Sequence, residues 1–314
     1  MGMPRYECVA SLRPAIFGEI LLCRDLQTRE EVVVKTIDMN MATQQQSKQF
    51  GPVKENVLQE IQVLRRLSSA GGHPNVINMH RYYVTGGNVL HVVMDYCEGG
   101  DLLESCSSSM SAPGSSSSIE APLEVTPKTP SVNEKAALGF LHDVLSGLQF
   151  LHRHGIAHRD ISLENILVRD GRAVIADFGL SITRNVSEGE TTATTFQCND
   201  VVGKNYYMAP EVVAQAMYDP TKADIWSVGI SFFILLTSSP PFEMATPDDT
   251  GFRYVARHGL KAVFKAWDLS DAVSEATQDL LQQMTAIDPT KRPSIDEILS
   301  HPALADISPQ PDDV

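Results

Sequence analysis

Three short segments carry the residues best suited to chemistry. HRDISLENILV, from His158 to Val168, sets Asp160 and Asn165 five residues apart; DFG follows at Asp177, Phe178 and Gly179, and APE at Ala209, Pro210 and Glu211. Asp177 comes 17 residues after Asp160, and Glu211 comes 34 after Asp177. A carboxylate can orient or accept a proton, and carboxylates and amides can also offer hard oxygen to a cation. Upstream, Lys35 closes the apolar run VVV, and Glu55 and Glu60 follow it. A lysine buried at that position needs a carboxylate partner, because alone it would tend to lose its proton.

These residues need elements to hold them. Short β-branched segments at Tyr6 to Leu12, Ile16 to Cys23 and Val32 to Ile37 predict an antiparallel meander. Between Val53 and Leu67 the apolar residues Val57, Ile61, Leu64 and Leu67 follow helical spacing and stop at Ala70, Gly71 and Gly72. Two further strands are expected at Val76 to Val84 and Val89 to Tyr96. Between Ser105 and Ser118, nine of fourteen residues are serine, so the stretch 105–132 cannot bury enough apolar area to order itself and reads as a disordered insert. The remainder predicts helices at Glu134 to His154, Lys222 to Leu236, Arg253 to Ala266, Ser274 to Met284 and Ser294 to Leu299. The most apolar run, VGISFFILL, is far shorter than the roughly 20 residues that cross a bilayer and reads as a buried helix.

Taken together, HRDISLEN, DFG, GKNYYMAPE and DIWSVG resemble the motifs of the eukaryotic protein kinase superfamily, over nearly the whole chain from about Cys8 to His301. The resemblance implies an α+β fold of two lobes within residues 6–304. An N-lobe of small antiparallel sheet and one main helix would end near residue 96, a larger helical C-lobe would follow from 97 to 304, and 305–314 would be a tail. It implies ATP and Mg2+ as cofactors and protein hydroxyls as acceptors. Asp160 would orient or accept the substrate hydroxyl proton, while Asn165 and Asp177 would hold the metal. Lys35 would reach the inner phosphates with Glu60 holding it; Glu60 is preferred to Glu55 because QEIQVLRRL has the register of the family helix. VVMDYCEGGDLL resembles the hinge: Met94 would stand at the back of the pocket, the backbone of Asp95 and Cys97 would read adenine, and Asp101 would reach the ribose. Leu12, Ile20, Val33 and Leu167 complete the expected nucleotide contacts. Glu211 would pair with Arg292, and Asp224 would hold the catalytic loop.

Three features depart from the family pattern. The phosphate-covering loop aligns as Leu12 to Ile20 and keeps only its third glycine, Gly18, with Arg13 and Ala15 where glycines are usual and Pro14 removing an amide donor. Weaker nucleotide binding is expected, with Arg13 compensating in part by pairing with phosphate. Ser162 replaces the lysine usual two residues after the catalytic aspartate, and Lys204 replaces a threonine; Lys204 is expected to restore that charge by pairing with Asp160. Arg159 would sit in a cationic pocket that Asp200 could fill in place of a phosphothreonine, with Thr191, Thr192, Thr194 and Thr195 as further phosphosites.

Serine or threonine is the expected acceptor, because ISLEN lacks the insert typical of tyrosine kinases and GGDL and SPPF look like the Ser/Thr group. The degraded glycine loop motivates an alternative, a pseudokinase scaffold, against which stands the complete set Lys35, Glu60, Asp160, Asn165 and Asp177. The formal charge of −14 repels phosphate backbones and anionic headgroups, which argues against nucleic acid or membrane as partner. Asp101 and Glu164 with that charge favour basic sites in a protein substrate, and the Ser-rich insert is a place for regulators. Five scattered cysteines without a CxxC pair argue against a disulfide framework or zinc cage, and a reducing intracellular setting, the cytoplasm, is expected. The oligomeric state is left open.

Overall fold

A computed structural model describes residues 5–47, 51–104, 132–184 and 196–307. The expectations for residues 105–131, for Thr191, Thr192, Thr194 and Thr195, and for the tail beyond 307 lie outside the described residues.

Five strands build one antiparallel sheet: β1 (Tyr6–Ala15), β2 (Gly18–Asp25), β3 (Glu31–Asp38), β4 (Met79–Thr85) and β5 (Val89–Asp95), in the spatial order β1-β2-β3-β5-β4. The two-residue period of a strand sorts the run VVVK. Val32 and Val34 pack with Tyr6, Cys23 and Val93 on one face, whereas Val33 and Lys35 line the cleft on the other. Helix α1 (Met39–Thr43), started by Asp38 accepting the Asn40 N–H, occupies the front of the polar stretch before the main helix. That main helix, α2 (Val57–Ser69), begins where Asn56 accepts the Gln59 N–H at 3.1 Å, four residues later than apolar spacing alone suggests. It buries Val57, Ile61, Leu64 and Leu67 together with Glu60.

The β1–β2 hairpin gives Gly18 a steric role. Ala15 pairs with Gly18, so the turn is only Ile16 and Phe17. Phe17 is buried, and its carbonyl accepts the Asp38 N–H at 2.9 Å. A Cβ on Gly18 would lie 2.0 Å from the Thr36 carbonyl oxygen. The close approach of β3 thus requires Gly18, and neither Ala15 nor Gly18 is among the residues lining the cleft. Gly18→Ala is expected to force the hairpin off β3 and cost about 1–3 kcal/mol, the range for overpacking. Chemical unfolding measures it, and a loss below about 0.5 kcal/mol would show that the sheet absorbs the methyl group.

The helical part comprises α3 (Glu134–Arg153), α4 (Pro210–Val213), α5 (Pro220–Thr237), α6 (Thr250–His258), α7 (Lys261–Ala266), α8 (Glu275–Met284) and α9 (Ile295–Leu299). VGISFFILL lies in α5 and is buried on every side. No helix among the described residues is long and apolar enough to cross a membrane. The single helix expected from Arg253 to Ala266 is two, because Gly259 turns the chain at φ 83° and a Cβ there would meet Gln282 Oε1 at 2.3 Å. Four short strands, β6 (Ile156–Ala157), β7 (Ile166–Arg169), β8 (Arg172–Ile175) and β9 (Ile182–Thr183), pair as β7–β8 and β6–β9 and frame residues 158–165.

Candidate active site

A cleft of about 280 Å³ opens between the sheet and the helical part. β1, β2 and β3 supply Leu12, Arg13, Ile20, Val33 and Lys35; α2 supplies Glu60; the end of β5 supplies Met94 and Asp95, and the chain leaving it Cys97 and Asp101; and the helical side supplies Asn165, Leu167 and Asp177. All the expected nucleotide contacts except Ala15 and Gly18 therefore meet in one place.

Lys35 Nζ donates to both Glu60 oxygens, at 2.8 and 3.0 Å. Burial alone would pull this lysine down, but Glu60 and Asp177 outweigh it and hold the cation above the ordinary lysine range. Glu55 lies in the lead-in to α2, against Gly179, whose hypothetical Cβ would meet its Cγ at 3.0 Å. Burial, and then the neighbouring Asp177, push Glu55 up to about 7. Glu55 is thus a neighbour of the DFG segment, which sequence spacing from Lys35 did not reveal. The same lead-in reaches the segment after it: the Asn56 N–H donates to the Gly179 carbonyl at 3.0 Å, and Lys54 Nζ to the Val201 carbonyl at 2.6 Å.

The catalytic-loop candidates are held from below by Asp224 in α5. Its Oδ2 accepts the His158 N–H at 2.9 Å and its Oδ1 the Arg159 N–H at 2.8 Å. Asn165 Nδ2 donates to the Asp160 carbonyl and to Asp160 Oδ2, each at 2.8 Å. With its nitrogen so engaged, Asn165 has its amide oxygen to offer a cation, beside the carboxylate of Asp177. That hard-oxygen pair fits Mg2+. Asp177 itself takes φ 67°, with Oδ1 accepting the Gly179 N–H at 3.2 Å, and Arg159 takes φ 66°. Two non-glycine residues in the left-handed region within one site store strain that the surrounding bonds must hold. Burial raises the carboxyl of Asp177, but Lys35 and the Gly179 N–H pull it below the ordinary range, so it stays ionised.

Lys204 differs from its expected pairing. Its Nζ donates to Ser162 Oγ at 2.7 Å and lies 3.6 Å from Glu164 Oε2; among the described residues it makes no ion pair with Asp160. The buried serine hydroxyl offers the nearer acceptor. The charge still reaches Asp160 through space: burial raises that carboxyl, and Lys204 is the largest influence opposing the rise. Gly203, at φ 104°, lets the chain pass the catalytic loop, since a Cβ would meet the Arg159 carbonyl oxygen at 2.9 Å.

Arg159 Nη1 donates to Asp200 Oδ2 at 2.7 Å, the pairing that the sequence suggested. Three other pairs were not legible. Arg13 Nη1 lies 3.7 Å from Asp101 Oδ2 across the mouth of the cleft. The Asp95 carboxylate pairs with Arg169 and with His80 Nε2, the latter at 2.8 Å. Beside Lys204 a second groove of about 570 Å³ is lined by Glu164, Glu243 and Asp248.

Residues 15–304 match the protein kinase domain family. Similar proteins include calcium-dependent protein kinase 8 of Oryza sativa subsp. japonica, 31% identical over 98% of this chain and 50% of the relative, and its namesake in Arabidopsis thaliana, 31% identical over 91% and 46%. Serine/threonine-protein kinase SAPK2 of Oryza sativa subsp. indica is 31% identical over 96% of this chain and 76% of its own. The chain spans about half the length of the calcium-dependent kinases it matches.

Proposed function

The chain belongs to the protein kinase family, and from that premise we propose that it transfers the terminal phosphoryl group of ATP, with Mg2+, to serine or threonine hydroxyls of proteins. The observation that carries this reading is the gathering of the Lys35–Glu60 pair, Asn165 and Asp177 on one cleft, with Asp160 hydrogen-bonded to Asn165. Phosphoryl transfer asks a protein for positioning and charge more than for covalent work. Lys35, fixed by Glu60, binds the inner phosphates, and the backbone of Asp95 and Cys97 reads the adenine edge. Asp160 accepts the hydroxyl proton at its free carboxylate oxygen. Mg2+, when held by Asn165 and Asp177, supplies positive charge across the phosphates. The carboxylates of Glu164, Glu243 and Asp248 in the second groove support a preference for basic sites. A reducing cytoplasm is the proposed setting.

Incubation with ATP, Mg2+ and a generic basic protein, followed by phosphoamino-acid analysis, tests the reading. Phosphoserine or phosphothreonine is expected. Nucleotide binding without transfer would overturn it in favour of a scaffold.

Lys204 is assigned the charge that Ser162 lacks. Lys204→Ala is expected to lower kcat about 10²–10³-fold, the effect of losing one preorganised charge at a developing anion, with little change in nucleotide affinity. Lys204→Arg should recover part of the loss. A kcat within about threefold of wild type would reduce Lys204 to an exposed ion pair.

A further inference from the structure

β1 and β2 carry one cysteine each, Cys8 and Cys23, and the register sets them directly opposite one another. The Leu26 N–H donates to the Arg5 carbonyl at 2.8 Å, which makes Arg5 and Leu26 a hydrogen-bonded pair. Hydrogen-bonded and non-hydrogen-bonded pairs alternate along an antiparallel ladder, so Cys8 and Cys23, three positions on, form a non-hydrogen-bonded pair. Such pairs bring Cα atoms to about 4.5 Å and side chains closest, inside the window of about 4.4–6.8 Å that a disulfide spans.

The two thiols differ in access. Cys8 is exposed; Cys23 is wholly buried among Tyr6, Val32, Val34 and Val93. Burial first, then the adjoining Cys8 side chain, push the Cys23 thiol up to about 11. One thiol that solvent reaches, set against one that solvent does not, is the arrangement of an attacking and a resolving cysteine. The register shift immediately after Cys8 leaves Val9 outside the ladder, so β1 bends at this point.

We propose that Cys8 and Cys23 form a reversible disulfide across this hairpin when the protein meets hydrogen peroxide. The Cys8 thiolate attacks one peroxide oxygen and the O–O bond breaks; the hydroxide that leaves takes a proton and departs as water, giving the sulfenic acid. The Cys23 sulfur then attacks the Cys8 sulfur, the S–O bond breaks, and the departing oxygen leaves as a second water with the Cys23 proton. Two thiols lose two electrons and two protons, and one peroxide is reduced to two waters. The bridge clamps the hairpin that carries Leu12 and Arg13 over the cleft, so an oxidation at the edge of the sheet acts on the roof of that cleft. It does not depend on the phosphotransfer reading.

The test treats the full chain with hydrogen peroxide, blocks free thiols by alkylation, and digests it with a glutamate-specific protease that cuts after Glu7 and Glu19. Segments 8–19 and 20–30 are expected as one linked species, lighter than their sum by two hydrogens and separated by dithiothreitol. The oxidised protein should also melt higher. In Cys8→Ser, an exposed change that leaves the core intact, both the link and the rise in melting temperature should vanish. In Cys23→Ala, Cys8 should pass on to sulfinic acid. Recovery of segment 8–19 unlinked, or linked to any other segment, with Cys23 still reduced would overturn the proposal.

Discussion

Asp160→Asn is expected to lower kcat by about 10²–10⁴-fold while leaving the fold and nucleotide affinity close to wild type. The range is the contribution of a positioned general base and corresponds to about 3–5 kcal/mol of transition-state stabilisation. The substitution is nearly isosteric, and its amide oxygen can still accept the bond from Asn165 Nδ2 that the carboxylate now takes at 2.8 Å. The Asp160 carbonyl, which takes the second bond from Asn165, is untouched. Asp160 is not among the residues lining the cleft proposed for ATP, so nucleotide affinity is expected to hold. What disappears is the acceptor for the hydroxyl proton and the negative charge facing Lys204. Isothermal titration with nucleotide reads affinity separately from turnover. Turnover within about tenfold of wild type would remove Asp160 from the proton's path, and a parallel loss of ATP affinity would point to a collapsed loop instead.

The ease with which Asp160 is found in the sequence has a physical origin. Asp160, Asn165 and Asp177 lie in short, ordered segments because one loop and the hairpin beside it must present them together, so their spacing is visible along the chain. Arg159 and Asp200 could be matched for the same reason, since each stands at a fixed offset from a motif. Contacts between distant segments leave no such trace. The Lys54 bond to the Val201 carbonyl and the reach of Arg13 to Asp101 depend on how the sheet packs on the helical part, not on any local pattern. Gly18 shows a subtler failure. A glycine signals that something comes close to the backbone without saying what, and here it is the Thr36 carbonyl of the next strand. Helix ends went astray where a single residue decided them: Asn56 capped α2 later than its apolar spacing suggests, and Gly259 cut one expected helix into two.

Arg292→Ala should cost about 3–5 kcal/mol, the range for breaking a buried ion pair by removing one partner. The Arg292 side chain is fully buried, and its guanidinium makes four hydrogen bonds. Nη1 and Nη2 donate to Glu211 Oε1 and Oε2 at 2.6 and 2.8 Å, Nε donates to the Ala286 carbonyl, Nη1 also to the Lys222 carbonyl, and the group lies 5.0 Å over the Trp226 ring. Truncation strands the Glu211 carboxylate in a largely dry site and leaves a void beneath the tryptophan, so two penalties add. Glu211→Gln should be milder, because its amide still meets the guanidinium, though without the charge. A double change to methionines should recover much of the loss, since buried pairs exchanged for well-packed apolar side chains are often neutral. Chemical unfolding of the wild type and the three variants reads these differences, and a loss under about 1 kcal/mol in Arg292→Ala would mean that the pair is solvated in solution. The effect reaches the site as well. Glu211 stands in α4, seven residues beyond Lys204 and eight beyond Gly203, so the pair anchors the far end of the segment that presses on the catalytic loop. Turnover should therefore fall in Arg292→Ala even at temperatures where the protein remains folded, and the methionine pair, which restores packing but not the directional grip on Glu211, should regain stability ahead of activity.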